Sequence, residues 1–439
     1  MEGHQAMDSS LYRAAMDGDI DVLMNNKDNL ENKFTPNNNT ILHVATQFGH
    51  TKCAMEILNM CPSMYRKVNS RGDTALHVAA REGHSTVVQA LIEYAKALNE
   101  EMENGAGTAK DMMRVANGEG DTALHEAVRN HQPVAVQLLT GEDPEFCHPA
   151  NKAEETPLYL AAERGYVGLL CVILENCDAP VHGGPGGRTA LHAAVVHNFE
   201  GCTKKLLDWK PALCKQADAC GWMPLHYAAL FGHVTRAKEL LNTDKSVAYI
   251  ADKDNKKIAL HLAASQGHVR VMEELISQCP DCWEMVDGRG QNILHIAAKY
   301  KKKRAIKFIL EKFSFSGLIN QKDSDGNTPL HLLAASGCCQ ASLIKHPKSD
   351  RMAFNKENLT PVDVICKNKN VGAVVRILSY MPKYVGHRPR ILCSWTPWVL
   401  VSLLVAALIA IATISFVVGF TSEGDYNGNE TSQFLKHLS

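Results

Sequence analysis

In TALHVAAREGH, residues 74–84, apolar residues fall at the second, third, fifth, sixth and seventh places, and polar residues follow up to Gly83. That spacing puts one apolar stripe on a short helix. Thr74 stands in front as a capping hydroxyl, and Gly83 stops the helix as glycine does at a left-handed C-cap. Val87, Val88, Leu91 and Ile92 then form a second apolar stripe, which predicts a second helix. A helix pair this small cannot bury both stripes alone, so it must stack on copies of itself.

The copies are present. The pattern recurs from residues 40, 74, 122, 156, 189, 223, 258, 292, 328 and 360, in steps of 34, 48, 34, 33, 34, 35, 34, 36 and 32 residues. SSLYRAAMDGD at 9–19 fits the same frame as an opening cap, with Ser9 in the Thr slot and Tyr12 in the fourth. A period near 33 with T-P-L-H-x-A in register resembles the ankyrin signature. The expected fold is therefore all-α, an ankyrin-repeat solenoid of about eleven repeats over 9–380, after an N-terminal segment 1–8. Between repeats, Asn69-Ser-Arg-Gly72, Asn117-Gly-Glu-Gly120, Asp218-Ala-Cys-Gly221, Asp287-Gly-Arg-Gly290 and Asp323-Ser-Asp-Gly326 place Asx first and Gly fourth, which suits type I turns at the tips of β-hairpin fingers. The longest step holds an insertion, roughly Leu98 to Met112, expected to extend a finger or loop.

Histidine fills the fourth slot as His43, His77, His125, His192, His226, His261, His295 and His331. No Cys or carboxylate recurs beside them, so they are expected to hydrogen-bond loop backbone between neighbouring repeats rather than to bind metal. Met223 and Ile258 replace the Thr of the first slot and are expected to lose the cap, at about 1 kcal/mol each. The eighth and ninth slots vary where the frame does not. Arg81, Glu82, Arg129, Asn130, Glu163, Arg164, Leu230, Phe231, Lys299 and Tyr300 are expected on a concave surface that grips a protein partner.

Other motifs weigh less. Gly183-Gly-Pro-Gly-Gly187 sits in a finger slot and lacks the G-K-[ST] of a phosphate loop. Cys279-Pro-Asp-Cys282 is a lone pair without a second C-x-x-C, expected to be structural. The basic run Lys299 to Lys307 has three readings: a solvated edge, a nuclear address or a contact with anionic lipid. The chain carries 46 Lys+Arg against 47 Asp+Glu, a net charge of -1 that offers no field for nucleic acid. Fourteen cysteines without a secretory leader point to reduced thiols. The array leaves no room for a catalytic domain and shows no cofactor or metal motif, so no enzyme, no cofactor and no metal are expected.

After a basic, Pro-bearing linker at 381–397, residues 398–420 run without a charge. At 1.5 Å per residue they cover roughly 34 Å, enough for one transmembrane helix. Lys383, Arg388 and Arg390 before the run, against Glu423 and Asp425 after it, orient the repeats to the cytosol and the tail 421–439 to the far side. Asn429-Glu-Thr431 there is a glycosylation sequon. The plasma membrane or the endoplasmic reticulum is the expected location.

LYRAAMDGDIDVL at 11–23, GGRTALHAAVV at 186–196, CPDCWEMVDGRGQNILHIAAK at 279–299 and VAALIAIATISFVVGFT at 405–421 together resemble the plant accelerated-cell-death family, ankyrin-repeat membrane proteins with a C-terminal PGG domain. The resemblance implies a membrane-associated regulator of defence and programmed cell death, linked to salicylic-acid signalling. Its implied partners are membrane receptors or other signalling proteins, in homo- or hetero-oligomers. Family members commonly carry four membrane helices and a P-G-G-Y segment. Here Gly419-Phe-Thr421 leads into SEGDYNGNE, so the PGG-like domain is expected to be truncated to one span. The alternative expectation is a subunit of an ankyrin-bearing membrane channel or transport complex.

Overall fold

The computed structural model describes residues 5–27, 30–101, 108–146, 148–312, 317–338 and 340–367. The end of the array to 380, the linker 381–397, the apolar run 398–420, the tail 421–439 and Asn429 lie outside the described residues. Among those described, no helix is long and apolar enough to cross a membrane. The chain forms two compact units, Met1–Ala263 with Arg270–Cys282, and Ala264–Val269 with Trp283–Ser439.

Helices come in pairs in the order the stripes predict. Along the chain run α1 (Ser9–Asp17) and α2 (Ile20–Met24), α3 (Ile41–Gln47) and α4 (Thr51–Met60), α5 (Ala75–Glu82) and α6 (Ser85–Glu101), then α7 (Thr108–Arg114). They continue with α8 (Ala123–Arg129) and α9 (Pro133–Glu142), α10 (Pro157–Glu163) and α11 (Val167–Asn176), α12 (Ala190–Val196) and α13 (Glu200–Trp209), α14 (Pro224–Phe231) and α15 (Val234–Thr243). After α16 (Ala259–Gln266) and α17 (Val269–Gln278) come α18 (Ile293–Lys299) and α19 (Lys303–Lys312), α20 (Pro329–Ala335) and α21 (Ala341–Ile344), and α22 (Pro361–Lys367). Within the first unit the first helices stack on one another from α1 through α14, and the second helices form a parallel layer from α2 through α15. In the second unit α18, α20 and α22 stack likewise, as do α19 and α21. The apolar slots sit between the layers: Leu76, Ala79 and Ala80 of α5 and Val87, Val88, Leu91 and Ile92 of α6 are buried.

The fourth-slot histidines tie the repeats together. Nε2 donates to the backbone carbonyl just ahead of the next repeat's phrase: His43 to Asp73 (2.8 Å), His77 to Asp121 (2.9 Å), His125 to Glu155 (3.1 Å), His192 to Trp222 (2.9 Å), His226 to Lys257 (3.2 Å), His295 to Asn327 (2.9 Å) and His331 to Leu359 (3.0 Å). Nδ1 accepts the first-slot backbone N–H, at 3.2 Å in both Thr40–His43 and Thr74–His77. A carbonyl only accepts and a peptide N–H only donates, so each ring is the neutral Nε2–H tautomer. The threonine hydroxyl donates to the same Nδ1, at 2.8 Å for Thr40 and Thr74. Its role is thus wider than a simple cap. Met223 and Ile258 forgo only the hydroxyl, since their N–H groups still reach His226 (2.9 Å) and His261 (3.2 Å). Where Tyr159 replaces histidine, Thr156 Oγ1 makes the inter-repeat bond itself, donating to the Gly183 carbonyl at 2.8 Å.

Two expectations are corrected. The fingers are not β-hairpins: the described strands are β1 (Gln5–Ala6) and β2 (Lys33–Phe34), paired in parallel, with one isolated bridge, Gly183 to Thr189. The Asx-led fingers are bare turns in which the leading side chain takes the backbone, as Asn69 Oδ1 does from the N–H groups of Arg71 (2.9 Å) and Asp73 (3.0 Å), leaving those N–H groups out of any ladder. The tips pair sideways instead, Ser70 N–H to Asn37 (2.9 Å), Gly118 to Arg71 (2.8 Å) and Lys152 to Glu119 (2.9 Å), and in the second unit Ser324 to Arg289 (2.8 Å). Gly72 is required here: φ is +76°, and a Cβ would lie 2.6 Å from the Gly118 nitrogen. The described parts of the insertion, too, are helical, against the expected finger or loop. Its Ala-, Leu- and Glu-rich start prolongs α6, and α7 buries Ala109, Met112 and Met113. A smaller shift occurs at the opening cap, where Asp8 rather than Ser9 is the N-cap, accepting the Ser10 N–H at 3.1 Å.

Burial pushes the histidine pKa values down, to about 4 for His125 and His192, against the partial support of the carbonyls they bond. The unfolded chain therefore binds more protons below its ordinary value near 6.5, and stability present above pH 6.5 is lost as pH falls toward 4. Urea midpoints followed by helical circular dichroism are expected to drop between pH 7 and 4.5, by an amount reduced in His192→Gln. Gly72→Ala is expected to cost more than about 1 kcal/mol in the same assay.

Candidate functional site

The eighth-slot side chains Arg81, Arg129, Glu163, Leu230 and Lys299 are half-buried, and the ninth-slot Glu82, Asn130, Arg164, Phe231 and Tyr300 are exposed. Helical side chains lean toward the N-terminus, so the eighth slot falls back over the finger while the ninth projects outward. Structure reassigns two of these residues. Arg81 donates Nη2 to Asp73 (2.8 Å) and, through Nη2 (2.6 Å) and Nε (2.9 Å), grips Glu126 of the next repeat. Arg129 repeats the device one unit along, with Asp121 (2.5 and 3.1 Å) and Glu155 (3.3 Å). Asn117 and Asn151 complete the two networks on Asp73 (2.8 Å) and Asp121 (2.7 Å). These arginines tie neighbouring repeats together. Asn130 is drawn in as well, its Nδ2 donating to the Glu126 carbonyl at 2.9 Å.

The electrostatics agree. Burial would raise the Asp73 carboxyl, but hydrogen bonds from Asn117 and Arg81, with the Arg81 charge, hold it below the ordinary carboxylate range. Asp121 behaves the same way through Arg129 and Asn151. For Arg81, burial opposes the charge, and Glu126 and Asp73 outweigh it, so the guanidinium stays firmly cationic.

Farther along the first unit the same face changes character. The slot just ahead of the phrase runs Asp73, Asp121 and Glu155, then Arg188 and Trp222. Arg188 lies 5.4 Å over the Tyr227 ring, and Trp222 and Tyr227 stand 5.1 Å apart. Tyr227 stacks on Phe231 at 6.5 Å, and Phe231 on His233 at 5.9 Å. The Tyr227 hydroxyl donates to Asp218 at 2.6 Å, which with burial pushes its pKa up to about 12. Phe231 remains 47% exposed, Tyr300 42% and Phe48, in the same ninth slot, 40%. Sequence reasoning selected Leu230 and Phe231 but missed Arg188, Trp222, Tyr227 and Phe48. For Arg188 and Trp222 the signal available was the slot preceding each phrase, and for Phe48 it was the ninth slot itself.

Other features resolve into structure. The glycine run is a finger: Gly184 packs against the Tyr159 ring, and the Gly186 N–H is taken by the Glu154 carboxylate at 2.8 Å, where a phosphate would have to sit. Cys279 and Cys282 are buried, and burial raises both thiols, Cys282 to about 12, so neither is a ready thiolate. Among the described residues no group of three His, Cys, Asp or Glu side chains is arranged to hold a metal. A polar depression of about 530 Å³ lined by Tyr12, Arg13, Asn37 and Gln47 carries no paired acid and base. The insertion is anchored by Arg114, bidentate on Asp143 at 2.7 and 3.0 Å.

Removing one partner from a buried network leaves charges without counter-charges. Arg81→Ala and Arg129→Ala are each expected to lower stability by about 3 kcal/mol in urea titrations, whereas Glu82→Ala and Arg164→Ala stay within about 0.5 kcal/mol.

Comparison with known proteins accords with this geometry. Residues 11–102, 124–217, 169–254, 191–286, 237–318 and 260–348 match the family described as ankyrin repeats (3 copies). The chain is 25% identical over 182 residues, 40% of its own length and 14% of the relative's, to the transient receptor potential cation channel subfamily A member 1 homolog of Caenorhabditis elegans. It is 30% identical over 142 residues to inversin of Mus musculus, 32% of this chain and 13% of that one. It thus spans about a seventh of the length of these curated relatives. A crystal structure of the ankyrin repeat domain of Bcl-3, described as a unique member of the IkappaB protein family, aligns with 54% of this chain and 98% of that chain at 23% identity and a TM-score of 0.45. Family matches extend over most of the sequence, and the chain belongs to the ankyrin-repeat family.

Proposed function

We propose that this chain is a non-catalytic, membrane-tethered scaffold that captures signalling proteins on the finger and first-helix face of its repeats. The observation that carries the reading is the contrast between a buried frame, uniform from repeat to repeat, and an exposed row that changes from charged to aromatic. Phe231 is 47% exposed and Trp222 and Leu230 are half-buried, so they leave apolar area at the surface beside the buried Tyr227. Aromatic anchors of this kind dominate protein interfaces. The tether is the apolar run 398–420, and the sequence resemblance to the plant accelerated-cell-death family supports a role in defence signalling and programmed cell death. Membrane receptors or signalling proteins are then the partners, and the plasma membrane or endoplasmic reticulum the site.

A second reading, a subunit of an ankyrin-bearing channel, is favoured by the two relatives named as transient receptor potential cation channels, of Caenorhabditis elegans and Homo sapiens. Against it, residues 398–420 contain no ionisable side chain to line a pathway.

Proximity labelling from the repeats in plant tissue, with and without residues 398–420, tests the scaffold reading. Membrane proteins are expected in the labelled set of the full chain and lost on removing the run. Phe231→Glu with Trp222→Ala is expected to lower capture of those proteins roughly tenfold at unchanged helical content. Equal capture by the double variant removes this face from consideration.

A further inference from the structure

The charge of the chain is not evenly distributed. Although the whole sequence is nearly balanced, residues 283–367 carry 14 Lys+Arg against 8 Asp+Glu. Three of those acids, Asp287, Asp323 and Asp363, are buried and occupied. Asp287 accepts the N–H groups of Arg289 and Gln291, both at 2.9 Å, and Asp323 those of Asp325 (3.0 Å) and Asn327 (2.8 Å). Asp363 accepts the Thr360 N–H (2.9 Å) and hydroxyl (2.7 Å). They shape turns and a helix start and do not face solvent, so the surface of this unit is more basic than its composition.

Positive charge is densest at α19. Ala305, Ile306, Ile309 and Leu310 are buried against the second unit, while Lys303, Arg304, Lys307 and Lys312 are exposed. The turn ahead adds exposed Lys301, held at φ +59°. Of these five, Lys307 alone has an ion pair among the described residues, a surface contact with Glu311 at 3.7 Å in which both side chains are about two-thirds exposed. In the first unit Arg81, Arg114 and Arg129 each reach a carboxylate of the following repeat, Glu126, Asp143 and Glu155. The α19 bases make no such ties, and neighbouring like charges on a helix repel. Among the described residues the surface contact of Lys307 with Glu311 is the ion pair that offsets that cost.

We propose that the basic face of α19 rests on the anionic headgroups of the lipid surface that the chain enters at residues 398–420. This inference rests on the membrane tether of the proposed function. Residues 368–397 join Lys367 to that run and add Lys383, Arg388 and Arg390 beside it, the distribution expected of a cytosolic flank. Lysines and arginines held near such a leaflet are attracted over about a Debye length, and a tether makes the encounter intramolecular.

The test uses the full chain reconstituted in phosphatidylcholine vesicles with or without phosphatidylserine. Limiting amine modification is mapped at Lys301, Lys303, Lys307 and Lys312, with exposed Lys52 and Lys238 of the first unit as internal standards. The α19 lysines are expected to react roughly threefold or more slowly when phosphatidylserine is present, with the protection lost at high salt and the standards unchanged. In a variant carrying Lys301→Gln, Lys303→Gln, Arg304→Gln and Lys307→Gln, Lys312 is expected to lose its protection while helical content is retained. Equal modification in both vesicles overturns the proposal, as does protection by an oligonucleotide or an acidic peptide without protection by phosphatidylserine. Release of the chain by alkaline carbonate overturns the tether and this contact together. Retention with unprotected lysines overturns the contact alone.

Discussion

A neutral imidazole with one acceptor and one donor nitrogen is the interaction on which the array depends. It takes the N–H that opens its own helix and gives its proton to the carbonyl ahead of the next helix, so a single buried ring fixes a helix start and a repeat spacing at once. Only the uncharged ring can do both, and burial keeps it uncharged. The sideways bonds between finger tips then follow, because each histidine holds the neighbouring finger at one height.

Once these backbone ties secure the register, side chains on the finger face are released from structural duty to varying degrees. Near Arg81 and Arg129 they are drawn back into service as buried ion-pair networks across the boundaries. Around Trp222 and Phe231 the stacking is carried by aromatic rings that still present area to solvent. Exposed aromatic area is therefore local, not spread evenly over the repeats. In the second unit exposed positive charge gathers on α19 beside the exposed Tyr300.

Much of this was legible in the sequence. The period, the helix starts at Thr40, Thr74 and Thr189, the glycine stops and the histidine link to neighbouring loops depend on local spacing, and local spacing is what a sequence displays. The candidate surface was legible in outline only. Slot numbers say which way a side chain leaves the helix, and they placed Leu230, Phe231 and Tyr300 correctly at or near solvent. They could not say that Arg81 meets Glu126, 45 residues on, because that contact exists only after two repeats have stacked.

The amino-acid sequence by itself determined the repeat, its helix pair, the structural histidines and the uncharged run at 398–420, since each follows from residue types at fixed short separations. Tertiary structure decided that the Asx-led fingers are bare turns, that the described parts of the insertion are helical and followed by Arg114 on Asp143, and that Arg81 and Arg129 tie repeats together. Those outcomes turn on which groups are already satisfied when neighbours arrive. Backbone N–H groups taken by Asx side chains are not left for a ladder, and a guanidinium that spends three of its five donors on two carboxylates is held at the boundary those carboxylates span.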